Sequence, residues 1–342
     1  MSRIAKRRHK AKPRVFVTRA IASDAIAKLA RHATVEVWDR ETPPPYAVLK
    51  RRVREADALL TMVTDKIDAP LIASAPRLRV ISNLAVGLDN IDIEAATRAG
   101  IAVGHTPGVL TEATADLAFA LLMAAARRVA QGDREVRAGR WRTWGPAVML
   151  GPDVFGATLG IIGWGKIGRA MARRGSGFNM RVVYVTRSGG RRNSSDEIAG
   201  AKAVSLKRLL AISDFISLHV PLTPETRHLI GTNEFALMKR GAIIINTARG
   251  GVIDQKALYR SLKSGKLGGV GLDVTDPEPI APNDPLLKLP NVVITPHIGS
   301  ASYSSRYNMA LIATDNIIAV LKGGKPRFCA NPMVRIRPLL RV

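Results

Sequence analysis

A chain of 342 residues with 46% hydrophobic content is long enough for two domains with buried cores. Its one cysteine, Cys329, excludes an intramolecular disulfide and suits a reducing cytoplasm. The apolar run at 117–126 is too short to cross a bilayer, and no apolar core near the N-terminus suggests a secretory signal. The net charge of +25 is the unusual quantity.

The basic charge begins at the start of the chain: seven Lys or Arg fall within the first fourteen residues, and no acid precedes Asp24. Such an arm suits nucleic acid, or it is a solvated extension on a basic protein that handles small anions. The chain carries no nucleic-acid motif with a base-stacking aromatic set, so the second reading is preferred and nucleic acid is not expected as a partner. Beyond the arm, residues 14–17, 35–37, 58–62, 80–82 and 101–103 read as strands, with helices at 22–32, 70–75 and 93–99. That alternation predicts a parallel α/β sheet. One long helical pattern covers 111–128, closed by Arg127-Arg128 and long enough to bridge two lobes. A second set of strands follows at 159–162, 181–185, 215–219, 242–246, 269–272 and 292–295. Residues 223–226 and 277–279 read as loops, and a last helix at 304–322 leads into a Pro- and Arg-rich tail.

The second set opens on the most informative stretch, Gly160-Ile161-Ile162-Gly163-Trp164-Gly165-Lys166-Ile167-Gly168. An apolar strand runs directly into G-x-G-x-x-G and then into helix-forming residues, the pattern of a dinucleotide-binding turn. Gly163 allows the tight turn, Gly165 the approach of a pyrophosphate and Gly168 close packing of helix on strand, while the helix N-terminus offers N–H groups to phosphate. The next strand ends in Thr186-Arg187-Ser188, where Asp or Glu would serve a ribose 2′-hydroxyl, and no acid lies between Arg181 and Ser195. Arg187, with Ser188, Arg191 and Arg192, suits a 2′-phosphate, so NADPH is expected in preference to NADH.

Ligands of an open parallel sheet bind beyond the carboxyl ends of its strands. Those ends carry His219-Val220-Pro221, Asn246-Thr247-Ala248-Arg249-Gly250, Asp273, and Pro296-His297-Ile298-Gly299-Ser300. These runs, with Gly271 to Pro279, Val86-Gly87-Leu88-Asp89-Asn90-Ile91-Asp92 and Thr223-Pro224-Glu225-Thr226, resemble the D-isomer specific 2-hydroxyacid dehydrogenases. The resemblance covers residues 12–331. Trp141-Arg142-Thr143-Trp144 and Arg187-Ser188 resemble the glyoxylate/hydroxypyruvate reductase branch. The implied fold is α/β with two lobes, each a parallel sheet flanked by helices: a Rossmann cofactor domain at 111–299 inserted into a flavodoxin-like substrate domain at 1–110 and 300–342.

The resemblance also implies roles. His297 would protonate the carbonyl oxygen as hydride reaches carbon, a task suited to a group that titrates near neutrality. Glu278 would bond His297 and stabilise its imidazolium, and Arg249 would hold the substrate carboxylate or polarise the keto oxygen. Backbone N–H groups of Val86 and Gly87 would grip the carboxylate, with Ser300 nearby and Trp144 reaching a neighbouring subunit's pocket. Asp273 would orient the nicotinamide carboxamide, and Thr111 would contact cofactor near the hinge. Further cofactor contacts fall on Gly163, Gly165, Lys166, Ile167, Gly168, Arg187, Ser188, His219, Pro221, Thr226, Thr247, Ala248, Arg249, His297 and Gly299. The expected substrate is a small anionic 2-keto acid, glyoxylate or hydroxypyruvate, handled by a cytoplasmic homodimer.

Other histidines read differently. His105 reads as a satisfied loop residue and His9, His32 and His228 as surface residues, and none of the six lies in a zinc spacing, so no metal is expected. Trp141 and Trp144 suit either a subunit interface or core packing. Two alternatives remain for function: a dehydrogenase for a bulkier 2-keto acid, phosphite or formate, decided by the small side chains at 61–64 and 86–87, or a nucleotide-sensing corepressor on the same scaffold.

The cofactor expectation is directly measurable. kcat/KM for keto-acid reduction is higher with NADPH than with NADH; equal values, or a preference for NADH, would overturn the assignment of Arg187.

Overall fold

The computed structural model describes residues 12–186, 198 and 200–338. The chain forms two compact units, one running to Val109 and resuming at Ser302, the other spanning Leu110–Ala301. The basic segment at 1–11, with His9, and the residues Arg187, Ser188, Arg191 and Arg192 lie outside the described residues.

In the first unit β1 (Arg14–Val17), α1 (Ser23–Ala30), β2 (Thr34–Val37), α2 (Tyr46–Val53), β3 (Ala58–Thr61), α3 (Ala69–Ala73), β4 (Val80–Asn83), α4 (Ile93–Arg98) and β5 (Ala102–Gly104) alternate. The strands are parallel, in the order β2-β1-β3-β4-β5. The order reverses between β1 and β3, as in a flavodoxin-like sheet. β3 and β4 are buried along their whole length, which a parallel sheet covered on both faces requires. Asp68 and Asp92 start α3 and α4 by accepting from the N–H groups of Leu71 and Ala95.

The second unit contains α5 (Thr111–Ala126), α6 (Val129–Arg137), β6 (Thr158–Ile162), α7 (Lys166–Gly177), β7 (Arg181–Val185), β8 (Lys202–Ala203), α8 (Leu206–Ile212), β9 (Phe215–Leu218), α9 (Thr232–Leu237), β10 (Ala242–Asn246), α10 (Gln255–Lys263), β11 (Leu267–Leu272) and β12 (Val292–Ile294). Its strands are parallel, in the order β12-β11-β10-β9-β6-β7-β8. This is the doubly wound Rossmann order, reversing between β6 and β9. β10 explains the two-sided burial: Ile243 and Ile245 join Leu121, Leu122 and Met171 on one face, and Ile244 joins Phe235, Leu258 and Leu262 on the other. The last helix, α11 (Tyr303–Leu321), returns to the first unit and packs on β3, β4 and β5.

Several expectations shift. The helix predicted over 111–128 stops at Ala126, because Arg128 takes a left-handed conformation with φ 53° and gives its Nε to the Leu150 carbonyl. A separate helix, α6, follows with none of its residues buried. α2 has no counterpart in the sequence reading, since Lys50, Arg51 and Arg52 mask the buried pair Leu49 and Val53. β11 begins two residues before the expected strand, its start hidden by Gly268 and Gly269.

The carboxyl end of β9 holds a histidine with a consequence for stability. Buried Ser217 lies 2.8 Å from His219 Nε2. Desolvation by the surrounding protein pushes the His219 pKa from 6.5 down to about 4. Between those values the unfolded chain binds a proton that the folded chain does not, so folding weakens as pH falls from 6.5 towards about 4. Replacing His219 by Gln flattens this part of the stability curve. Urea midpoints that fall equally steeply in parent and His219→Gln across that window would contradict it.

Candidate active site

The candidate site is built at the carboxyl ends of the second sheet. Gly163 leaves β6 with φ 105°, and a Cβ there would meet the His219 carbonyl oxygen at 2.4 Å. Its N–H bonds the Val185 carbonyl, while the His219 N–H bonds Ile162, so β6, β7 and β9 are tied together at the point where the strand order reverses. At Gly168 a Cβ would strike the Gly163 carbonyl oxygen at 2.1 Å, so glycine lets α7 start against its strand. Gly165 differs: its φ is −80° and a Cβ would meet no atom within 4 Å. Nothing among the described residues demands glycine there, and the open space fits close approach of a ligand. Among the described residues no side chain caps α7, and an uncapped helix start of this kind suits an anion. Trp164 stacks on Tyr184 of β7 at 3.8 Å between ring centroids, bracing the turn.

The loop after β9 is closed by Thr226, whose hydroxyl donates to the Pro221 carbonyl at 2.6 Å and accepts from the Thr223 N–H. The loop after β10 is shaped by Asn246, fully buried at the end of an otherwise aliphatic strand. Its Nδ2 donates to the Arg249 carbonyl at 2.9 Å and its Oδ1 accepts from the Ala248 N–H at 3.0 Å. Thr247 Oγ1, at the crest of this loop, is buried and without a partner among the described residues. A buried hydroxyl in that state has a hydrogen bond still to make, to water or to a bound ligand. Arg249 is half-buried, with Nη1 on the Ala248 carbonyl. At Gly250 a Cβ would meet the Thr275 backbone at 2.0 Å, so the Arg249 loop lies directly on the segment leading to Glu278.

Asp273, 1% exposed at the end of β11, organises the remaining loop. Oδ1 accepts from Thr295 Oγ1 at 2.6 Å and from the Ile298 N–H at 2.8 Å; Oδ2 accepts from the Gly299 N–H at 2.7 Å. The His297 N–H bonds the Asp273 carbonyl at 2.9 Å, and His297 adopts φ 54°. Its ring thereby meets Glu278, with Nδ1 at 2.5 Å from Oε1. The carboxylate accepts, so Nδ1 carries the proton. Nε2 has no hydrogen-bond partner among the described residues. About 29% of the imidazole side chain is exposed, enough to reach a reactant. Thr114, one turn beyond Thr111 on α5, borders Gly299, and half-buried Ser300 follows it.

Structure thus brings together the turn at Gly163–Gly168, Thr247, Arg249, Asp273, Glu278, His297 and Gly299 on one rim of one sheet. Val86 and Gly87 lie after β4 in the first unit, Val86 37% exposed. Trp141 and Trp144 are exposed, which removes core packing as their explanation. Asn246 was not singled out by sequence reasoning; its one signal was a polar residue closing the run Ala242-Ile243-Ile244-Ile245. Among the described residues no group of three or more His, Cys, Asp or Glu is placed to hold a metal, and no helix is long and apolar enough to cross a membrane.

Residues 119–299 match the family described as D-isomer specific 2-hydroxyacid dehydrogenase, NAD binding domain. The chain is 52% identical over 329 residues to the glyoxylate reductase of Korarchaeum cryptofilum, covering 96% of this chain and 98% of that one. It is similar to the crystal structure of a glyoxylate reductase from Paecilomyes thermophila, with 35% identity and a TM-score of 0.83 over 94% of this chain and 99% of that one. It is also similar to an NADPH-dependent glyoxylate/hydroxypyruvate reductase from Sinorhizobium meliloti, solved with NADP and malonate: 29% identity and a TM-score of 0.84 over 96% and 100% of the two chains.

Proposed function

The chain belongs to the D-isomer specific 2-hydroxyacid dehydrogenases, and from that premise we propose that it reduces glyoxylate or hydroxypyruvate to the 2-hydroxy acid, with NADPH as the preferred cofactor. The observation that carries the reading is the contact of 2.5 Å between His297 Nδ1 and Glu278 Oε1, made beside the Arg249 loop.

In this reading Glu278 fixes the tautomer and orientation of His297. Nε2 then delivers its proton to the oxygen of the keto group as that oxygen gains negative charge, and Glu278 stabilises the imidazolium that serves as donor. Arg249 binds the substrate carboxylate or polarises the keto oxygen through its planar fork. The amides of Val86 and Gly87 hold the carboxylate, with Ser300 beside the reacting end. When bound, the nicotinamide supplies the hydride.

The residues present fit such a cofactor. The open space at Gly165, the uncapped start of α7 and the orphan hydroxyl of Thr247 each leave a place for one. Gly163, Gly165, Lys166, Ile167 and Gly168 would hold its pyrophosphate, and Arg187 with Ser188 a 2′-phosphate. Pro221, Thr226, His219, Thr247, Ala248, Gly299, Asp273 and Thr111 would line the remainder. The unit from Leu110 to Ala301 is then the cofactor domain and the other unit the substrate domain. The segment after α5 exposes Val129, Val136, Trp141, Trp144, Val148, Leu150 and Phe155, more apolar surface than a solitary chain usually shows in one stretch. A second copy of the chain covering it accounts for this, with Trp144 reaching the neighbour's substrate. A monomeric mass by sedimentation velocity would remove that part of the reading.

His297→Ala lowers kcat by about a hundredfold or more, the usual contribution of a general acid, while the Kd for NADPH stays within about twofold. Measured kcat close to the parent value would mean that another group supplies the proton. Absence of turnover with every short 2-keto acid tested would overturn the substrate class.

A further inference from the structure

His105 follows β5 in the first unit, and its sequence context marks it only as a loop histidine. Its backbone is fixed on both sides. The N–H donates to the Phe328 carbonyl at 3.1 Å, and the carbonyl accepts from Nδ2 of Asn316, a fully buried residue of α11, at 3.1 Å. Asn316 Oδ1 accepts in turn from the Phe328 N–H, closing the arrangement. The imidazole is therefore delivered to a set position, where Nδ1 lies 3.2 Å from the Val86 carbonyl oxygen. A carbonyl only accepts, so Nδ1 is the protonated nitrogen.

The neighbouring contact gives this bond its meaning. The Thr106 N–H donates to the Ala85 carbonyl at 2.8 Å. Two successive carbonyls, of Ala85 and Val86, are thus held by the chain leaving β5. The peptides that follow them are trans, and in a trans peptide the N–H points opposite to the C=O. The N–H groups of Val86 and Gly87 consequently both turn away from β5, whereas in an extended segment they would alternate. Neither N–H has a partner among the described residues; close by, Asn83 Oδ1 and Thr106 Oγ1 are likewise buried without one. On the far side Asn83 Nδ2 bonds the Gly87 carbonyl at 2.9 Å and Asn90 Oδ1 at 3.0 Å, and Asn90 Nδ2 bonds the carbonyls of Met62 and Asp65. Two unpaired amides turned to the same side make an anion-binding concavity.

We propose that His105 is a positioning residue for keto-acid reduction: its Nδ1–H holds the Val86 carbonyl so that Val86 and Gly87 present paired N–H groups to the substrate carboxylate. The inference rests on the reading that these amides bind that carboxylate. His105 touches neither the reacting atoms nor the cofactor in this role, so its signature is a change in substrate affinity alone.

The test uses the full-length enzyme with glyoxylate as substrate and oxamate as a non-reducible 2-keto acid analogue. His105→Phe keeps a ring and loses the donor; His105→Asn keeps a donor on a short side chain. In His105→Phe, KM for glyoxylate and the inhibition constant of oxamate rise together by about three- to tenfold, the effect of one lost orienting hydrogen bond, with kcat within about twofold. His105→Asn restores both constants. Unchanged constants in His105→Phe would overturn the proposal, as would equal losses in both variants accompanied by weaker NADPH binding, which mark a merely structural role. Oxamate titration of ¹⁵N-glycine-labelled parent enzyme separates the two levels. A shifted Gly87 amide with an unaffected His105→Phe variant leaves the carboxylate reading standing and sinks the role of His105. An unshifted Gly87 amide sinks both.

Discussion

The candidate site depends on one buried carboxylate. Asp273 sits at the end of β11 and accepts three hydrogen bonds, from Thr295, Ile298 and Gly299, while its own carbonyl holds the His297 N–H. These bonds wrap residues 295–299 around one side chain and keep His297 at a positive φ of 54°. A left-handed conformation at a non-glycine residue costs about 1–3 kcal/mol and persists only where its surroundings over-determine it. Here the result is an imidazole aimed at Glu278. A carboxylate has about four acceptor positions, so three bonds within the loop leave Asp273 room for one more partner, such as a carboxamide.

Glu278 and Arg249 reach the same place by a different route. Their loops leave neighbouring strands, β11 and β10, and touch through the missing side chain of Gly250, which lets the Thr275 backbone lie against it. Asn246 then pins the Arg249 loop from beneath. His297, Glu278 and Arg249 therefore come from adjacent strand ends of one parallel sheet, and the turn at Gly163 occupies the point where strand order reverses. Parallel strands make such convergence inexpensive: every strand end on that rim points the same way, and loops alone decide which side chains meet. In the first unit Val86 and Gly87 likewise follow the carboxyl end of a parallel strand, β4.

Much of this was legible in the sequence because its signals are local. An apolar strand entering Gly163-Trp164-Gly165-Lys166-Ile167-Gly168 names a turn and a helix start within eleven residues, and Ala242 to Asn246 names a buried strand by its aliphatic run. Positions at strand ends followed from there. What escaped the sequence depends on contacts between distant residues. The helix over 111–128 breaks because Arg128 finds the Leu150 carbonyl, a partner no periodicity announces. α2 is basic on its outer face and keeps only Leu49 and Val53 for the core. His105 is placed by a carbonyl nineteen positions earlier and by Asn316 on α11. Asp273 was expected to face cofactor, and its service to the 295–299 loop appears only once the loop is folded around it.

The account's central claim is that Asp273 sets His297 in place to donate a proton. Replacing Asp273 by Asn keeps size and one acceptor, and turns the other oxygen into an NH₂ group that faces N–H donors. The single-turnover rate of NADPH oxidation by glyoxylate, followed by stopped flow with cofactor and substrate both saturating, reads the consequence directly. The account predicts a fall of about ten- to a hundredfold in that rate with the enzyme still folded. A rate within about twofold of the parent would contradict it.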